Sequence, residues 1–360
     1  MRPMAALGQL RQLARTSATA SRIYGIRRGE AARLARRLRV EGGFEYHEAL
    51  KEGLLSPARS DVERRAMVSR HVRRAAQTRL NPLALEPLSE QKLIFYEYCL
   101  AVGIPVPELY GAVGRAGGWS RVSGRAIADR DAFASFVTGD LPAEFVVKPA
   151  WGLLGLDIRA LARDGDTLRD SSGGGVDSRE LYDRLLASPD FDLYVVQERL
   201  RNHPAVEELV HSPTLQTVRL NTLVRRDGGV SLLGGMMKLA TGTGDADNYR
   251  SGATGNGLSD IDVGAGTLGP LMIPGPEGAG NERIAVVPGT DRRVEGWRIP
   301  LFEEARALVV ESAPHFLPMR TLGWDVAITP AGAVVVEANN YWAMSFTPLD
   351  EEQRTLFLEG

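Results

Sequence analysis

The final strand–turn–strand segment of the sequence carries two carboxylates at a spacing that could hold a metal ion. Its turn, residues 329–333, is centred on Ala331, and Asp325 and Glu337 lie six residues before and after that centre. In a regular antiparallel hairpin such residues face each other with Cβ atoms about 4.5–5.5 Å apart, and Asn339 lies on the same face. Mg²⁺ prefers carboxylate, amide and phosphate oxygens. The spacing predicts a Mg²⁺ site, with Mn²⁺ as the alternative ion; pairing of the two acids with arginines is the competing interpretation.

Lysine is rare in this chain, which draws attention to the positions that have one. Only four of the 43 basic residues are lysine, namely Lys51, Lys92, Lys148 and Lys238. A lysine in an arginine-rich chain can reflect a need for a compact ammonium on a flexible stem, although Lys51 lies in an ordinary polar stretch. Lys148 ends a predicted strand beside a glycine-containing turn, 149–155, which could present an ammonium and backbone N–H groups to phosphate. The turn lacks the GxxxxGK[ST] spacing of a Walker A loop.

Polar residues on other predicted strands are weaker candidates. Gln197 and Glu198 end a strand, where backbone N–H and C=O groups could bind the edge of an adenine. Arg219 and Lys238 lie on successive strands of a predicted hairpin, and Arg219 alternates with apolar neighbours, so it is expected on the face opposite the core. A strand arginine of this kind is more often exposed to solvent than catalytic. Asn248 opens a glycine-rich loop, for which turn formation is the simpler interpretation.

The elements that must position these residues follow from hydrophobic patterning and turn residues. Ser89 is expected to cap a helix over 90–102, which Gly103 ends. Segment 242–289 holds 12 glycines and little periodicity, so it is predicted to be a functional loop region. Asp227 and the two glycines after it predict a hairpin turn. The remaining predicted strands and helices cover 143–149, 191–200, 217–226, 230–241, 301–312 and 323–340.

The N-terminal 80 residues differ in charge from the rest of the chain. They contain 18 Lys and Arg against 7 Asp and Glu, an excess of 11 positive charges. Segments 27–40 and 61–79 are predicted as Arg- and Ala-rich helices, with Leu34 and Leu38 forming a narrow apolar stripe. The simpler interpretation is a helical region docked on the main domain. The alternative is a surface for an anionic partner, such as an anionic membrane, a polyanionic substrate or RNA.

Composition excludes several classes of protein. A single cysteine, Cys99, is incompatible with a disulfide framework and favours a reducing compartment. No window of about 18 apolar residues could span a bilayer, and the opening segment lacks the apolar region of a secretory signal. The net charge of −2 argues against nucleic acid as the main partner of the whole chain. A cytoplasmic protein is therefore expected.

In their order along the chain, the candidate motifs resemble the ATP-grasp superfamily, and in particular its sugar-transfer-associated members, relatives of the α-L-glutamate ligases. The resemblance covers about residues 81–345. No single motif is specific, but the ordered set is. The segments that carry it are EQK before Leu93, FVVKP at 145–149, VQERLRNHP at 196–204, TVRLNT at 217–222, DNYRSGATGNG at 247–257 and GWDVAIT with VVVEANN at 323–340.

The resemblance implies an α+β, ATP-grasp fold in which two α+β subdomains enclose ATP, here preceded by a helical extension. It also implies residues that contact the nucleotide. Lys92 and Lys148 would contact the phosphates, and Gln197 and Glu198 would form the hinge that binds adenine. Asn248 would add a phosphate or metal contact.

The same resemblance assigns the residues at the reacting end of the site. Asp325, Glu337 and Asn339 would hold Mg²⁺. Arg219 and Lys238 would be catalytic, stabilising the phosphoryl group in transfer or the acyl intermediate. Phosphoryl transfer depends on positioning and charge neutralisation more than on a protein nucleophile. Cys99, in an apolar helix, is expected to serve packing.

The implied activity is an ATP- and Mg²⁺-dependent ligase that activates a carboxylate as an acyl phosphate and joins it to an amine, in polysaccharide or secondary-metabolite biosynthesis. The near alternative is a phosphotransferase or ester-forming ligase acting on a hydroxyl, and the distant one is a non-catalytic ATP-binding module. The predicted organisation is a basic helical region over 1–80, a first ATP-grasp subdomain over 81–195 and a catalytic subdomain over 196–360.

Overall fold

The computed structural model describes most of the chain. The described residues are 2–152, 155–165, 167–170, 173–242, 247, 249, 253–344 and 347–360. None of the helices in these ranges is both long and apolar enough to cross a membrane.

The N-terminal region is helical, as predicted. Its helices are α1 (Arg2–Tyr24), α2 (Arg28–Gly42), α3 (Tyr46–Lys51), α4 (Asp61–Ala66) and α5 (Arg70–Leu80). The single helix predicted over 61–79 is wrong: the chain turns at Met67, and the Ser69 hydroxyl accepts a hydrogen bond from the Val72 N–H at 3.3 Å, which starts a second helix. Helices α1 to α3 share a small core of their own, formed by Leu13, Ala20, Ala31, Ala35, Leu38, Phe44, Tyr46, Ala49, Leu54 and Leu55.

Helix α5 packs on a different part of the molecule from α1 to α3. Its buried residues Ala76 and Leu80 contact a cluster that contains Trp342 and Phe357. The Gln77 amide donates to the Trp342 carbonyl at 2.9 Å. The last helix of the basic region is therefore fixed to the C-terminal part of the chain.

Two helices connect this region to the first sheet, α6 (Glu86–Glu90) and α7 (Lys92–Val102). The predicted cap at Ser89 is wrong, because Ser89 lies inside α6. Gln91 is the N-cap of α7, and its side-chain oxygen accepts from the Ile94 N–H at 2.7 Å. Gly103 ends α7 in a left-handed conformation, as expected, with φ of 79°. The start of α7 at Lys92 places that lysine next to the site described below.

In the described chain, eight strands form a first antiparallel sheet in the order β3-β2-β1-β8-β4-β5-β6-β7. Phe133, Val137 and Leu181, from the two helices among these strands, pack against Phe145 and Val147. The strands are β1 (Leu109–Gly114), β2 (Gly118–Ser120), β3 (Ala126–Ile127), β4 (Glu144–Pro149), β5 (Arg159–Asp164), β6 (Thr167–Arg169), β7 (Gly175–Asp177) and β8 (Leu193–Glu198), and the helices are α8 (Arg130–Gly139) and α9 (Ser178–Leu186).

A second antiparallel sheet holds seven strands within the described ranges, in the order β13-β12-β11-β10-β9-β14-β15. Three of them lie within segment 242–289, so the prediction of a loop there is wrong for the described part of that segment. The strands are β9 (Thr217–Val224), β10 (Val230–Leu239), β11 (Gly257–Asp262), β12 (Thr267–Pro274), β13 (Asn281–Ile284), β14 (Thr321–Thr329) and β15 (Gly332–Asn339); the helices of this half are α10 (Pro204–Val210), α11 (Phe302–Ser312) and α12 (Glu351–Glu359).

The β14–β15 hairpin opposes its two carboxylates by a route that differs from the prediction. Its turn contains only two residues between the paired Thr329 and Gly332, so a regular ladder would place Asp325 opposite Val336. A register shift between Asp325 and Val326 corrects this offset, and Asp325 pairs directly with Glu337. A bulge of this kind leaves one residue unpaired and changes the direction of the neighbouring side chains. The predicted pairing is thus confirmed, although the regular hairpin assumed for it is not.

The two sheets and α7 are not consecutive blocks of sequence. The largest core joins Phe95, Tyr96 and Cys99 of α7 with Trp324 and Val326 of the second sheet. The predicted subdomain boundary after residue 195 falls inside β8, whose residues 193–198 all belong to the first sheet. We propose that the boundary follows Glu198.

Cys99 is fully buried, and burial raises the pKa of its thiol to about 12, in line with a packing role.

Candidate functional site

One cavity brings the predicted site residues together, and both sheets line it. Its volume is about 530 Å³, within the range of roughly 300–1,000 Å³ that is usual for small-molecule sites. Asn248 lies outside the described residues. The predicted residues that line this central cavity are Lys92, Lys148, Gln197, Glu198, Arg219, Lys238, Asp325, Glu337 and Asn339.

Asp325 is the centre of an ion-pair cluster on the floor of the central cavity. Strand β14 lies between β9 and β15, so Arg219 and Glu337 stand opposite Asp325 on its two sides. The Arg219 Nε and Nη2 atoms donate to the two Asp325 carboxylate oxygens, each at 2.6 Å. The Lys238 Nζ donates to the Asp325 Oδ2, also at 2.6 Å. Direct opposition across a ladder brings such side chains within reach of each other.

The charges of this cluster hold one another ionised despite deep burial. Burial alone raises the pKa of the Asp325 carboxyl, but Arg219 and Lys238 overcome that effect and hold it well below its usual range. Burial lowers the pKa of Lys238, whereas Asp247 and Asp325 raise it by more, and the net shift is upward. Arg219 is only 14% exposed. The alternative interpretation of Arg219 as a solvent-exposed strand residue is therefore wrong; the side chain forms a bidentate pair, the stronger kind of ion pair.

Lys148 is buried beside a tyrosine that connects three parts of the central cavity. Its Nζ donates to the Tyr96 hydroxyl at 2.7 Å, and that hydroxyl lies 2.8 Å from the Gln197 Oε1 and from the Val336 carbonyl. Only 4% of Lys148 is exposed. Burial is the main reason that its pKa falls to about 7, and repulsion from Lys92 adds to the effect. A lysine at a strand end is usually solvated, whereas this one is buried. An anion that binds beside it would favour its charged form.

Lys92 is the second lysine that lines the central cavity near Glu337. Its Nζ donates to the Gly152 carbonyl at 3.1 Å and lies 3.8 Å from the Glu337 Oε2. Its backbone N–H donates to the Ala150 carbonyl at 2.7 Å, which ties the start of α7 to the turn after β4. Lys148 therefore lies next to the glycine-containing turn, as predicted, and Lys92 joins it there although the sequence did not indicate this proximity.

The acidic and amide side chains of β14 and β15 form a donor set suited to a hard cation. Glu337 keeps 31% of its side chain exposed; it lies beside the Asp325 carboxyl group and 3.8 Å from both Lys92 and Arg219. The Asn339 amide donates to the Gly323 carbonyl at 3.3 Å. In the described ranges no three His, Cys, Asp or Glu side chains cluster as metal ligands. The set is thus two carboxylates and one amide, which fits Mg²⁺ with phosphate oxygens as further ligands.

The competing interpretation for the acids, pairing with arginine, also describes part of this geometry. Both oxygens of Asp325 accept hydrogen bonds from cations, whereas those of Glu337 are more open. The contribution of Asp325 to a metal site therefore depends on Arg219 and Lys238 moving toward another anion. Phosphate groups in the central cavity would supply one.

The end of β8 is already engaged within the first sheet. The Glu198 N–H donates to the Glu108 carbonyl at 2.8 Å, and the Gln197 side chain turns toward Tyr96. The backbone N–H of Glu198 is thus held by a neighbouring strand. Residues Arg199 and Leu200 follow it along the cavity wall. The Glu198 carbonyl accepts from the Gln197 side-chain amide at 3.3 Å, so base recognition at this end would use the backbone after Glu198.

Asp247 and Tyr96 are site residues that sequence reasoning missed. The Asp247 carboxylate accepts from the Thr217 N–H at 2.8 Å and from the Thr217 hydroxyl at 2.6 Å, and it lies 3.9 Å from the Lys238 Nζ. The sequence offered only a turn signal for Asp247. For Tyr96, its place one helical turn after Lys92 on α7 was the available clue.

Helix α5 lines the central cavity at the end beyond Asn339, which sequence reasoning also missed. Arg70 and Arg74 of this helix form part of the wall. The Arg74 guanidinium stacks over the Tyr341 ring, 3.9 Å from its centroid. Tyr341 follows β15 directly, so the basic region reaches the same cavity as the predicted phosphate and metal residues.

Comparisons with known proteins identify the chain at the level of a family. The family described as sugar-transfer associated ATP-grasp matches residues 72–356. No curated protein sequence matches the chain. The predicted α+β class and ATP-grasp fold are confirmed, with the helices of the N-terminal region as the extension.

Solved structures with a similar fold are distant. D-alanine–D-alanine ligase from Bacillus anthracis in complex with ATP shows 10% identity and a TM-score of 0.38, over 74% of this chain and 61% of that one. Biotin carboxylase from Campylobacter jejuni shows 9% identity and a TM-score of 0.41, over 75% and 46%. A RimK domain ATP-grasp protein from Sphaerobacter thermophilus shows 15% and 0.37, over 84% and 75%. The chain thus spans less than two thirds of the first two.

Proposed function

The chain belongs to the sugar-transfer-associated ATP-grasp family, and on this premise we propose that it is an ATP- and Mg²⁺-dependent ligase that joins a carboxylate to an amine. In the proposed reaction the carboxylate attacks the γ-phosphorus of ATP, and ADP leaves as an acyl phosphate forms. The amine then attacks the acyl carbon and displaces phosphate, which leaves with the proton that the amine loses, and the amide forms. In both steps, bonds form and break only on the substrates, and no protein side chain becomes covalently attached.

The observation that carries the proposal is the convergence of four cationic side chains with two carboxylates on the central cavity. Lys92, Lys148, Arg219 and Lys238 line it within hydrogen-bond chains that fix their positions. A triphosphate needs such charge neutralisation at fixed positions, and the transferring phosphoryl group needs more of it as charge spreads over its oxygens. We assign Lys92 and Lys148 to the nucleotide phosphates.

Arg219 and Lys238 are assigned to the group in transfer. Both are held by Asp325 at 2.6 Å and both are charged, so they are oriented before substrate arrives. Cationic donors held at the site in this way stabilise developing negative charge once they turn from Asp325 to the phosphoryl oxygens. When the amine attacks, negative charge develops on the carbonyl oxygen of the acyl phosphate. Arg219 and Lys238 could hold that oxygen as well.

Asp325, Glu337 and Asn339 are assigned to Mg²⁺. When bound, the ion would neutralise charge on the phosphates and orient them. The residues of the chain contribute the two opposed carboxylates of β14 and β15, whose register is fixed by the bulge between Asp325 and Val326.

The decisive experiment measures ADP release with acids and amines supplied separately and together. We expect release that requires a carboxylic acid, and we expect hydroxylamine in place of the amine to yield a hydroxamate, which reports an acyl phosphate. An acid labelled with ¹⁸O in its carboxylate should transfer label to the released phosphate. ADP release that needs a hydroxyl compound and no acid would instead establish the phosphotransferase alternative, and nucleotide binding without turnover would establish the binding module.

Glu337→Gln should impair Mg²⁺-dependent nucleotide binding without unfolding the chain. Its partly exposed side chain lies 3.8 Å from both of its cationic neighbours, so its loss leaves no tightly paired cation behind. Loss of a carboxylate ligand should weaken apparent Mg²⁺ affinity by about tenfold or more, at least the cost of losing an outer-shell partner. Calorimetric titration of a non-hydrolysable ATP analogue at several MgCl₂ concentrations measures this. An unchanged Mg²⁺ dependence would remove Glu337 from the metal site.

A further inference from the structure

Arg70 and Arg74 form an unneutralised cationic pair at one end of the central cavity. They are four residues apart on α5, so they lie on the same face, where like charges repel. Within the described chain, no carboxylate lies within ion-pair distance of either guanidinium, although Glu48 accepts a hydrogen bond from the Arg70 backbone N–H at 2.5 Å and Glu86 and Glu90 line the same cavity. In contrast, Arg37 and Arg39 of α2 pair with Asp61 and Glu45 at 2.7 and 2.6 Å. An exposed pair without counterions next to a substrate cavity is suited to bind an anionic group of a ligand.

The position of this arginine pair can be read along β15 and the residues that follow it. The Val336 carbonyl contacts Tyr96, which also contacts Gln197 and Lys148. Glu337 and Asn339 come next, and the ring of Tyr341 then lies under Arg74. The order along the cavity is therefore the predicted adenine end, the phosphate and metal residues, and finally the arginine pair.

Helix α5 is held rigidly enough to place these arginines. Its Gln77 side chain donates to the Trp342 carbonyl at 2.9 Å, and Arg79 donates to the Leu358 carbonyl at 2.7 Å. Its apolar face packs into the cluster around Trp342. The stack of Arg74 on Tyr341 fixes the plane of the guanidinium, which favours bidentate contact with a carboxylate or phosphate.

From this geometry we infer that Arg70 and Arg74 bind a second anionic group on the acid substrate, so that the enzyme selects acids with two negative charges. This inference rests on the proposed function. The reacting carboxylate must approach the phosphoryl group near Arg219 and Lys238, and it loses its charge when the acyl phosphate forms. A distinct anionic group at the far end keeps its charge throughout, and it would hold the substrate in place during both steps.

The test measures binding of matched acids to the chain loaded with a non-hydrolysable ATP analogue and MgCl₂. The probes are straight-chain dicarboxylates from malonate to suberate, each compared with the monocarboxylate of equal length. We expect the wild type to bind the best dicarboxylate about tenfold or more tightly than its partner, the scale of a charge-assisted hydrogen bond. The double variant R70Q/R74Q should lose this preference, and R70K/R74K should recover part of it.

The matched control is R33Q/R36Q, which removes the same charge from exposed positions on α2 away from the cavity. It should keep the preference, and all variants should bind the ATP analogue as the wild type does, with unchanged thermal stability. The inference is overturned if the wild type shows no preference, if R70Q/R74Q keeps it, if R70Q/R74Q and R33Q/R36Q lose it equally, or if R70Q/R74Q loses nucleotide affinity. Failure of the proposed function appears separately, as the absence of acid-dependent ADP release.

Discussion

Asp325→Asn should abolish ATP turnover and also destabilise the fold. The variant removes the anion that orients Arg219 and Lys238, and it leaves two largely buried cations with only long carboxylate contacts, at 3.8 and 3.9 Å. Breaking a buried ion pair in this way costs about 3–5 kcal/mol. ADP release and urea unfolding measure the two effects. Activity should fall below detection under conditions in which the variant is still folded.

A second substitution separates the catalytic effect from the structural one. In D325N/R219Q one of the unpaired cations is gone, so part of the lost stability should return, while turnover stays absent. Residues in direct contact show such coupling in a double-mutant cycle. The exposed pair of Asp183 and Arg130, at 3.4 Å, provides the control, since an exposed ion pair contributes about 1 kcal/mol or less. Near-normal turnover of D325N would contradict the assignment of Asp325 to the site.

The carboxylate hairpin shows what the sequence could predict about this site. Side chains alternate along a strand, so the spacing of Asp325, Glu337 and Asn339 around a turn was enough to place them on one face. Their opposition is observed. The bulge that produces it was not predictable, because a two-residue turn with a bulge and a longer regular turn give the same pairing at this position.

The partner of Asp325 could not be read from the sequence. Arg219 stands opposite it only because β14 inserts beside β9, two strands that are separated by almost a hundred residues. No residue near Asp325 in the sequence indicates that β9 will be the strand beside β14. The same limit applies to α5, whose Arg74 stacks on Tyr341, more than 260 residues further along the chain. For β11 to β13 the obstacle was local, since the segment that holds them is rich in glycine between the strands and shows little of the alternation by which strands are recognised.

Nucleotide affinity should depend on pH through Lys148. In the free protein, burial and the nearby Lys92 lower the pKa of Lys148 to about 7. Phosphate oxygens favour the charged ammonium, so binding should raise this pKa and take up a proton. The affinity of the wild type should therefore fall as pH rises from about 7 to about 9, by at most about tenfold per pH unit.

Lys148→Met should bind the nucleotide less tightly by about 1.5–3 kcal/mol at neutral pH, the contribution of a hydrogen bond to a charged group. The variant should also lose the part of the pH dependence that Lys148 causes. Calorimetric titration of a non-hydrolysable ATP analogue, in buffers of different ionisation enthalpy, measures the affinity and the proton uptake together.

Lys92→Met is the informative comparison for this prediction. It removes the cation that helps to lower the pKa of Lys148, so Lys148 should stay protonated to higher pH and the fall in affinity should begin later. Both variants lose one positive charge from the same wall of the cavity, yet only Lys148→Met should abolish the linked proton uptake. Equal pH profiles for the wild type and Lys148→Met would show that Lys148 does not contact the nucleotide. If the fall in nucleotide affinity of Lys92→Met began at a lower pH than in the wild type, Lys92 would not be lowering the pKa of Lys148.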